Sequence, residues 1–401
     1  MRNRFFTIVA LISMFSGCVE PFDVVPSLND DEGTGDTLVV EAIITDEVKQ
    51  QIIKVSKLGP LGEISGPTNI GNAQVSIEDG MGNRYEFNSL AGGIYESQVP
   101  FAAVPGTSYS LRITVDGNQY SSSEEFLPTT SAIDNLYATR ISTDSGVEGI
   151  GIFVDPRGGG ETPKFRYEFE ETYEIIAPLW APFDMVVTSR TLPFEFDLVP
   201  RDRDTRRCFG TRLSNEIILS SDLDLDNNVE QDFLVQFISS QDPVIQHRYS
   251  ILVSQYSQGT NAHAFYTTLK EQATSENVFS QIQPGFIEGN ITNISNFEDR
   301  VIGYFSVESV ASTRLFFDYV DFYPDEELPP YFINCNFLGA PIPVTPAGTS
   351  PLIDAIDSGN FVYVRDNNGE VPDGGPFLVA RTPCGNCTAL GSNIVPEFWE
   401  E

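Results

Sequence analysis

The segment AQVSIEDGMGNRYEF, residues 73–87, is compatible with few folds. Val75 and Ile77 alternate with polar neighbours, Asp79-Gly80 offers a tight turn, and an aromatic run returns. Successive strand side chains point to opposite faces, so this pattern predicts a β-hairpin with one buried side. The same grammar recurs around it. TLVVEAIIT and QQIIKVSKL are β-branched runs, and GGIYES, SYSLRITVDGNQYSS and EEFLP continue the series with a second turn at Asp116-Gly117. Short strands divided by Gly, Asp and Asn turns predict an antiparallel β-sandwich of immunoglobulin-like size over residues 37–128. Pro128, Thr129 and Thr130 mark its end.

Residues 129–401 are strand-rich but less regular. VEGIGIFVDP, KFRYEFEETYEI, NEIILSS, DFLVQFIS, HRYSILVSQYS, RVIGYFSVESV and STRLFFDYVDF read as strands, several alternating aromatic and polar residues. In GTNAHAFYTTLKEQATSENVF, Asn261 can cap a helix whose Phe265, Tyr266 and Leu269 form an apolar stripe that would cover a sheet edge or face. Residues 324–360 and 366–376, rich in Pro, Gly, Asp and Asn, are expected to be surface loops. A chain of 401 residues needs at least two domains. The expected class is therefore mainly β: a tandem β-sandwich, immunoglobulin-like at the N-terminus, followed by a larger, irregular β-rich domain with a short helix.

The first seventeen residues differ in kind. Arg2 and Arg4 precede an apolar run from Phe5 to Phe15 that is too short to span a bilayer, the pattern of a signal peptide. Ser16 and Gly17 before Cys18 resemble the lipobox of bacterial lipoproteins, with Phe15 where Leu is more usual. Cys18 is then the lipidated N-terminus of the mature chain, and its acyl chains, at roughly 0.8 kcal/mol per buried methylene, hold the protein on a membrane. Residues 18–36 carry Asp23, Asp30, Asp31, Glu32 and Asp36 among Pro, Ser, Asn and Gly, and read as a flexible acidic tether. The net charge is −34, and removal of Arg2 and Arg4 with the signal makes it about −36. Such a field repels nucleic acid and anionic headgroups.

Four further cysteines, Cys208, Cys335, Cys384 and Cys387, form an even set in an exported chain, which favours structural disulfides over metal or redox roles. The pairing first expected is Cys384 with Cys387 and Cys208 with Cys335. Asp222, Asp224, Asp226, Asn228 and Glu230 alternate like the opening ligands of a calcium loop. Asn227 and Phe233 occupy the places of the glycine and the bidentate glutamate, which leaves a weak calcium site as the only cofactor expectation. No nucleophile elbow, zinc helix or phosphate loop is present. His247 and His263 are expected to be structural. Trp180 and Phe183, in APLWAPF, are candidate contacts for a partner or ligand, with Trp399 a weaker one.

CVEPFD, LVVEAIITDE, GNAQVSIEDGMGNRYEF, GGIYES, PGTSYSLRITVDGNQYSS, QPGFIEGNITN, VIGYFSVES and the closing CGNCTALGSNIVPEFW occur in an order that resembles Bacteroidota lipoproteins grouped as domain of unknown function 4249. The resemblance covers nearly the whole mature chain. It implies an outer-membrane lipoprotein, commonly encoded beside TonB-dependent receptors, and supplies no catalytic residues. Glu20 and Asp23, close behind Cys18, resemble the signal for export to the outer leaflet. The function expected is that of a non-enzymatic accessory or binding subunit of an outer-membrane β-barrel complex, facing the cell exterior. Alternatives are an independent carbohydrate- or ligand-binding lipoprotein and, further off, a hydrolase.

Overall fold

The computed structural model describes residues 37–58, 67–128, 130, 132–157, 164–220, 232–274, 287, 289–297, 299–342 and 350–401. Cys18 and the calcium candidates Asp222, Asp224 and Asp226 lie outside these residues. The chain is mainly β.

The N-terminal unit contains β1 (Leu38–Thr45), β2 (Ile52–Lys57), β3 (Thr68–Asn69), β4 (Gln74–Asp79), β5 (Arg84–Ser89), β6 (Ile94–Ser97), β7 (Ser108–Val115), β8 (Asn118–Ser122) and β9 (Glu125–Phe126). They are hydrogen-bonded along one continuous path, β1-β2-β6-β5-β4-β7-β8, instead of the two separate sheets of an immunoglobulin sandwich. One core, with Val40, Ile44, Ile53, Val75, Ile77, Leu111 and Ile113 fully buried, draws side chains from all the longer strands. The hairpin turns form where the sequence places them. Asp116 adopts φ 51° and Gly117 φ 82°, the left-handed pair that a tight hairpin requires.

At the other turn the Asp79 carboxylate accepts from the backbone of Met81 (3.0 Å) and Asn83 (2.8 Å) and from Asn83 Nδ2 (2.8 Å). Burial alone pushes this carboxyl up, but the bonds from Asn83, Met81 and Tyr85 hold it below the usual range. Its contribution to stability is therefore complete above the unfolded carboxylate value and lost as pH falls through the lower folded value. Asp79→Ala should cost about 1–3 kcal/mol at pH 7 and clearly less below about pH 3, as urea unfolding at the two pH values would show.

Residues beyond 128 complete this unit. In the remaining chain come β10 (Ala132–Ser142), β11 (Glu148–Arg157), β12 (Phe165–Ile176), β13 (Phe183–Ser189), β14 (Glu195–Pro200), β15 (Arg207–Leu213), β16 (Ile218–Leu219), β17 (Phe233–Ser239), β18 (Arg248–Ser257), β19 (Ile291–Asn293) and β20 (Val301–Asp318). β19 pairs with β8, and β20 runs parallel to β1 from Val301 to Glu308. Ile291, Val301, Phe305 and Val307 thus enter the first core, so the span 37–128 is not a self-contained domain. Gly303 makes the approach possible: at φ 141° a Cβ there would stand 2.0 Å from the Val40 carbonyl oxygen.

From Ser309 onward the same strand pairs with β18, so β20 belongs to both units. The second unit sets β15-β12-β18-β20 across β10-β11-β17, with Ile150, Ile152, Val154, Tyr167, Tyr249, Ile251 and Val253 in the core between them. The β13-β14 hairpin packs on a third, small core with β21 (Phe337–Gly339), β22 (Phe361–Asp366) and β23 (Phe377–Arg381). Helix α1 (Thr260–Thr274) lays Phe265, Tyr266 and Leu269 against Tyr304, covering the outward face of β20 as its stripe predicts. No described helix is long and apolar enough to cross a membrane.

The cysteines pair in the opposite sense to the expectation. Cys208 joins Cys387 and Cys335 joins Cys384. Cys384 lies in the short helix Thr382–Gly385 and Cys387 in the turn after it, so the two face different neighbours. Cys387 meets β15, whose Phe209 also pairs with Ser392. The motif staples the C-terminal segment to two places at once.

Candidate functional site

The outward face of the β12-β18-β20 sheet is covered at both ends and open between. Strand alternation puts Arg166, Glu168 and Glu170 of β12 on this face, opposite Tyr256, Ser254 and Leu252 of β18. Helix α1 closes the end at Arg166. At the far end the C-terminal tail closes it: Trp399 packs edge-on against Phe209 (4.9 Å) and Phe316 (5.7 Å), and Arg314 lies 3.5 Å over Phe398. Between them lies a groove of about 580 Å³, walled by Glu41 and Ile43 of β1, Tyr266 and Leu269 of α1, and Leu213 to Ile217. The last segment bulges outward because β15 leaves β12 at Leu213 and β16 rejoins it only at Ile218.

A buried ionic cluster builds the helix end of the groove. Glu308, on β20 where the strand passes from one unit to the other, is fully buried; Arg166 is 6% exposed. Glu308 accepts from Arg166 Nη2 (3.1 Å), Gln258 Nε2 (2.9 Å) and Ser306 Oγ (2.9 Å). Arg166 also bonds Glu168, whose other oxygen accepts from Tyr256 OH at 3.1 Å. The guanidinium stacks on the rings of Tyr256 (4.3 Å) and Tyr266 (5.3 Å). Burial alone would lower the arginine's affinity for its proton, but Glu308 and Glu168 outweigh it and raise the pKa, so the cation persists. Burial raises the Tyr256 and Tyr266 hydroxyls, which stay neutral donors.

Beneath the same bulge, on the core side of the sheet, is a second cleft of about 380 Å³ lined by Arg212, Gln236 and Asp242. The fully buried Glu171 accepts there from Tyr249 OH (2.6 Å), Arg212 Nη2 (3.2 Å) and Gln236 Nε2 (3.3 Å). Carboxylates so fully supplied with donors are held as fixed acceptors, suited to positioning and recognition. Among the described residues no group of three or more His, Cys, Asp and Glu could hold a metal ion.

The residues singled out from sequence mostly lie elsewhere. Trp180 is half-buried, donates Nε1–H to Thr205 Oγ1 at 3.2 Å, and closes a local core with Ile175, Tyr331 and the Cys208–Cys387 bridge. Part of its ring is thus engaged in packing within the chain. Phe183 opens the β13-β14 hairpin at 38% exposure, away from the groove. His263 is buried on α1 with Nδ1 3.2 Å from Gln258 Oε1, one step from Glu308, and His247 precedes β18 with its pKa lowered by burial. Trp399 is 9% exposed and anchors the tail, helped by Arg248 Nε donating to the Glu400 carbonyl (2.6 Å). Trp399→Ala should cost about 3 kcal/mol and expose the tail to limited proteolysis.

Arg166, Glu168 and Glu308 were not singled out. Their signal is present in KFRYEFEETYEI, where Arg166, Glu168 and Glu170 mark every second position, and in the lone acid of GYFSVESV. No match to a curated protein was found. Residues 20–314 match the family model described as Domain of unknown function (DUF4249), a span that holds the whole groove and stops before the C-terminal staple. The chain belongs to that family.

Proposed function

We propose that this protein is a surface-exposed outer-membrane lipoprotein, anchored through acylated Cys18, that acts as a non-enzymatic accessory or binding subunit of a β-barrel complex such as a TonB-dependent transporter. The observation that supports recognition is the groove: an open, mixed ionic and apolar trough of about 580 Å³, within the size range of ligand sites, on a rigid sheet. Arg166 and Glu168 are held in place by hydrogen bonds before any ligand arrives, which reduces the ordering cost of binding. The segment 18–36 would carry the folded units clear of the membrane.

A second reading, an independent ligand-binding lipoprotein, is favoured by one feature. The groove joins apolar walls at Ile43, Leu252 and Leu269 to the charged groups of Arg166 and Glu168, a lining suited to a small ligand.

Both readings require the lipid. In cells fed an alkyne-tagged fatty acid, the wild-type chain should be labelled and sediment with membranes, while Cys18→Ala should be unlabelled and released. An unlabelled wild-type chain would remove the anchor from the proposal.

A further inference from the structure

We propose that the first unit makes a second, non-covalent membrane contact at the end where the chain enters it, with Phe297 and Ile294 dipping into a lipid surface. This rests on the reading of Cys18 as a lipid anchor and names the face that the anchor turns toward the membrane.

The topology gathers the parts. β1 begins at Leu38, which pairs with Lys57 on β2 and with Val301 on β20. Lys57 Nζ reaches Asp116, in the turn between β7 and β8, at 3.0 Å. The loop 294–300 joins β19 to β20 at this same end. Ile294 donates its N–H to the Gln119 carbonyl, three residues beyond Asp116, at 2.8 Å, and Val301 lies beside Leu38. Phe297 in this loop is 81% exposed and Ile294 43%. Leu58, whose N–H bonds the Thr37 carbonyl at 3.0 Å, is 37% exposed. Three exposed apolar side chains thus share the end at which Thr37 continues from Cys18 and the residues after it.

The loop is built to present its ring. Asn293, 1% exposed, accepts from the backbone of Ser295 (2.9 Å) and Asn296 (3.0 Å). Its amide donates to Asp299 (2.8 Å), which also accepts from Asn296 Nδ2 (2.8 Å). These polar side chains satisfy one another and leave the phenylalanine outside, the reverse of an ordinary solvated loop. Aromatic and aliphatic groups so placed suit the boundary between headgroups and acyl chains.

The length of chain before the fold supplies the occupant. Residues 19–36, eighteen in all, extend at most about 65 Å between Cys18 and Thr37. The anchor therefore holds this end of the fold nearest the bilayer. A contact too weak to retain a free acidic protein becomes intramolecular once the chain is anchored. Only the loop touches lipid, and the rest of both units stands clear.

Fluorescence quenching on vesicles tests this. The full mature chain, with a hexahistidine tag in place of Cys18, is held on phosphatidylcholine vesicles that contain a nickel-chelating lipid and brominated acyl chains. The emission added by Phe297→Trp should fall by about half or more relative to unbrominated vesicles. Met81→Trp, at a 68% exposed position in the turn after Asp79, at the opposite end of the sheet, should lose less than about a tenth of its added emission. Both positions are exposed, so both variants should keep the wild-type urea midpoint. Quenching at 81 that equals or exceeds that at 297 would mean that this end does not face the lipid, and would overturn the proposal. No quenching at 297 would overturn it too, and would leave the patch to a protein partner. The tag replaces the natural anchor, so these outcomes do not depend on the fatty-acid labelling, whose failure would remove the Cys18 anchor alone.

Discussion

Glu308→Ala should be the most damaging single substitution in the ionic cluster, lowering stability by about 3–5 kcal/mol. The alanine leaves the Arg166 guanidinium buried with only the half-exposed Glu168 as counter-charge, and strips Gln258 and Ser306 of their acceptor. An ion pair out of water adds little net stability when intact, because desolvation of both charges offsets their attraction. Removing one partner is different, since the desolvation of the other remains. Arg166→Met/Glu308→Leu should therefore recover most of the loss. The midpoint of urea unfolding for the wild type, the single and the double variant measures this. A single-variant loss below about 1 kcal/mol would show that Glu308 and Arg166 do not form this pair in solution. Because Glu308 sits where β20 passes between the units, the same substitution should also loosen the α1 end of the groove.

The second large effect belongs to the disulfides. Cys208–Cys387 closes a loop of 179 residues and Cys335–Cys384 one of 49. Chain-entropy relations assign losses of about 5 and 4 kcal/mol to opening them, with measured values commonly nearer 2–4. Cys208→Ser/Cys387→Ser should thus be at least as destabilising as Cys335→Ser/Cys384→Ser, and either should free the tail held by Trp399. Proteolytic mapping without reductant should yield linked peptides containing Cys208 with Cys387 and Cys335 with Cys384. A peptide linked through Cys384 and Cys387 would contradict this pairing.

The contrast between the two expectations for the cysteines shows where the sequence is readable. Cys384 and Cys387 are neighbours in CGNC, and nearness along the chain suggested a bridge between them. A loop that short closes at little entropic gain, and the fold instead directs each sulfur to a partner far away in sequence. The hairpins at Asp79-Gly80 and Asp116-Gly117 were legible because their turn chemistry and alternation are local. The helix carrying Phe265, Tyr266 and Leu269 was legible for the same reason. The pairing of β1 with β20, from Leu38 opposite Val301 to Thr45 opposite Glu308, leaves no local trace, so the first unit could not be seen to depend on the C-terminal half. The groove suffers likewise, since β1, β12, β15, β18 and α1 all contribute to it. Trp180 was ambiguous because an aromatic between prolines reads equally well as an exposed anchor or as a plug, and its contacts with Thr205 and the Cys387 core come from segments far off in sequence.

The proposed function is that of a lipoprotein subunit working beside an outer-membrane barrel. The most direct test is affinity purification of the tagged, detergent-extracted protein from its native membrane, with Cys18→Ala as control and mass spectrometry of what accompanies it. A stoichiometric β-barrel protein should accompany the wild type and be lost with the variant. Recovery of the wild-type chain alone, in detergent that preserves other outer-membrane complexes, would contradict it.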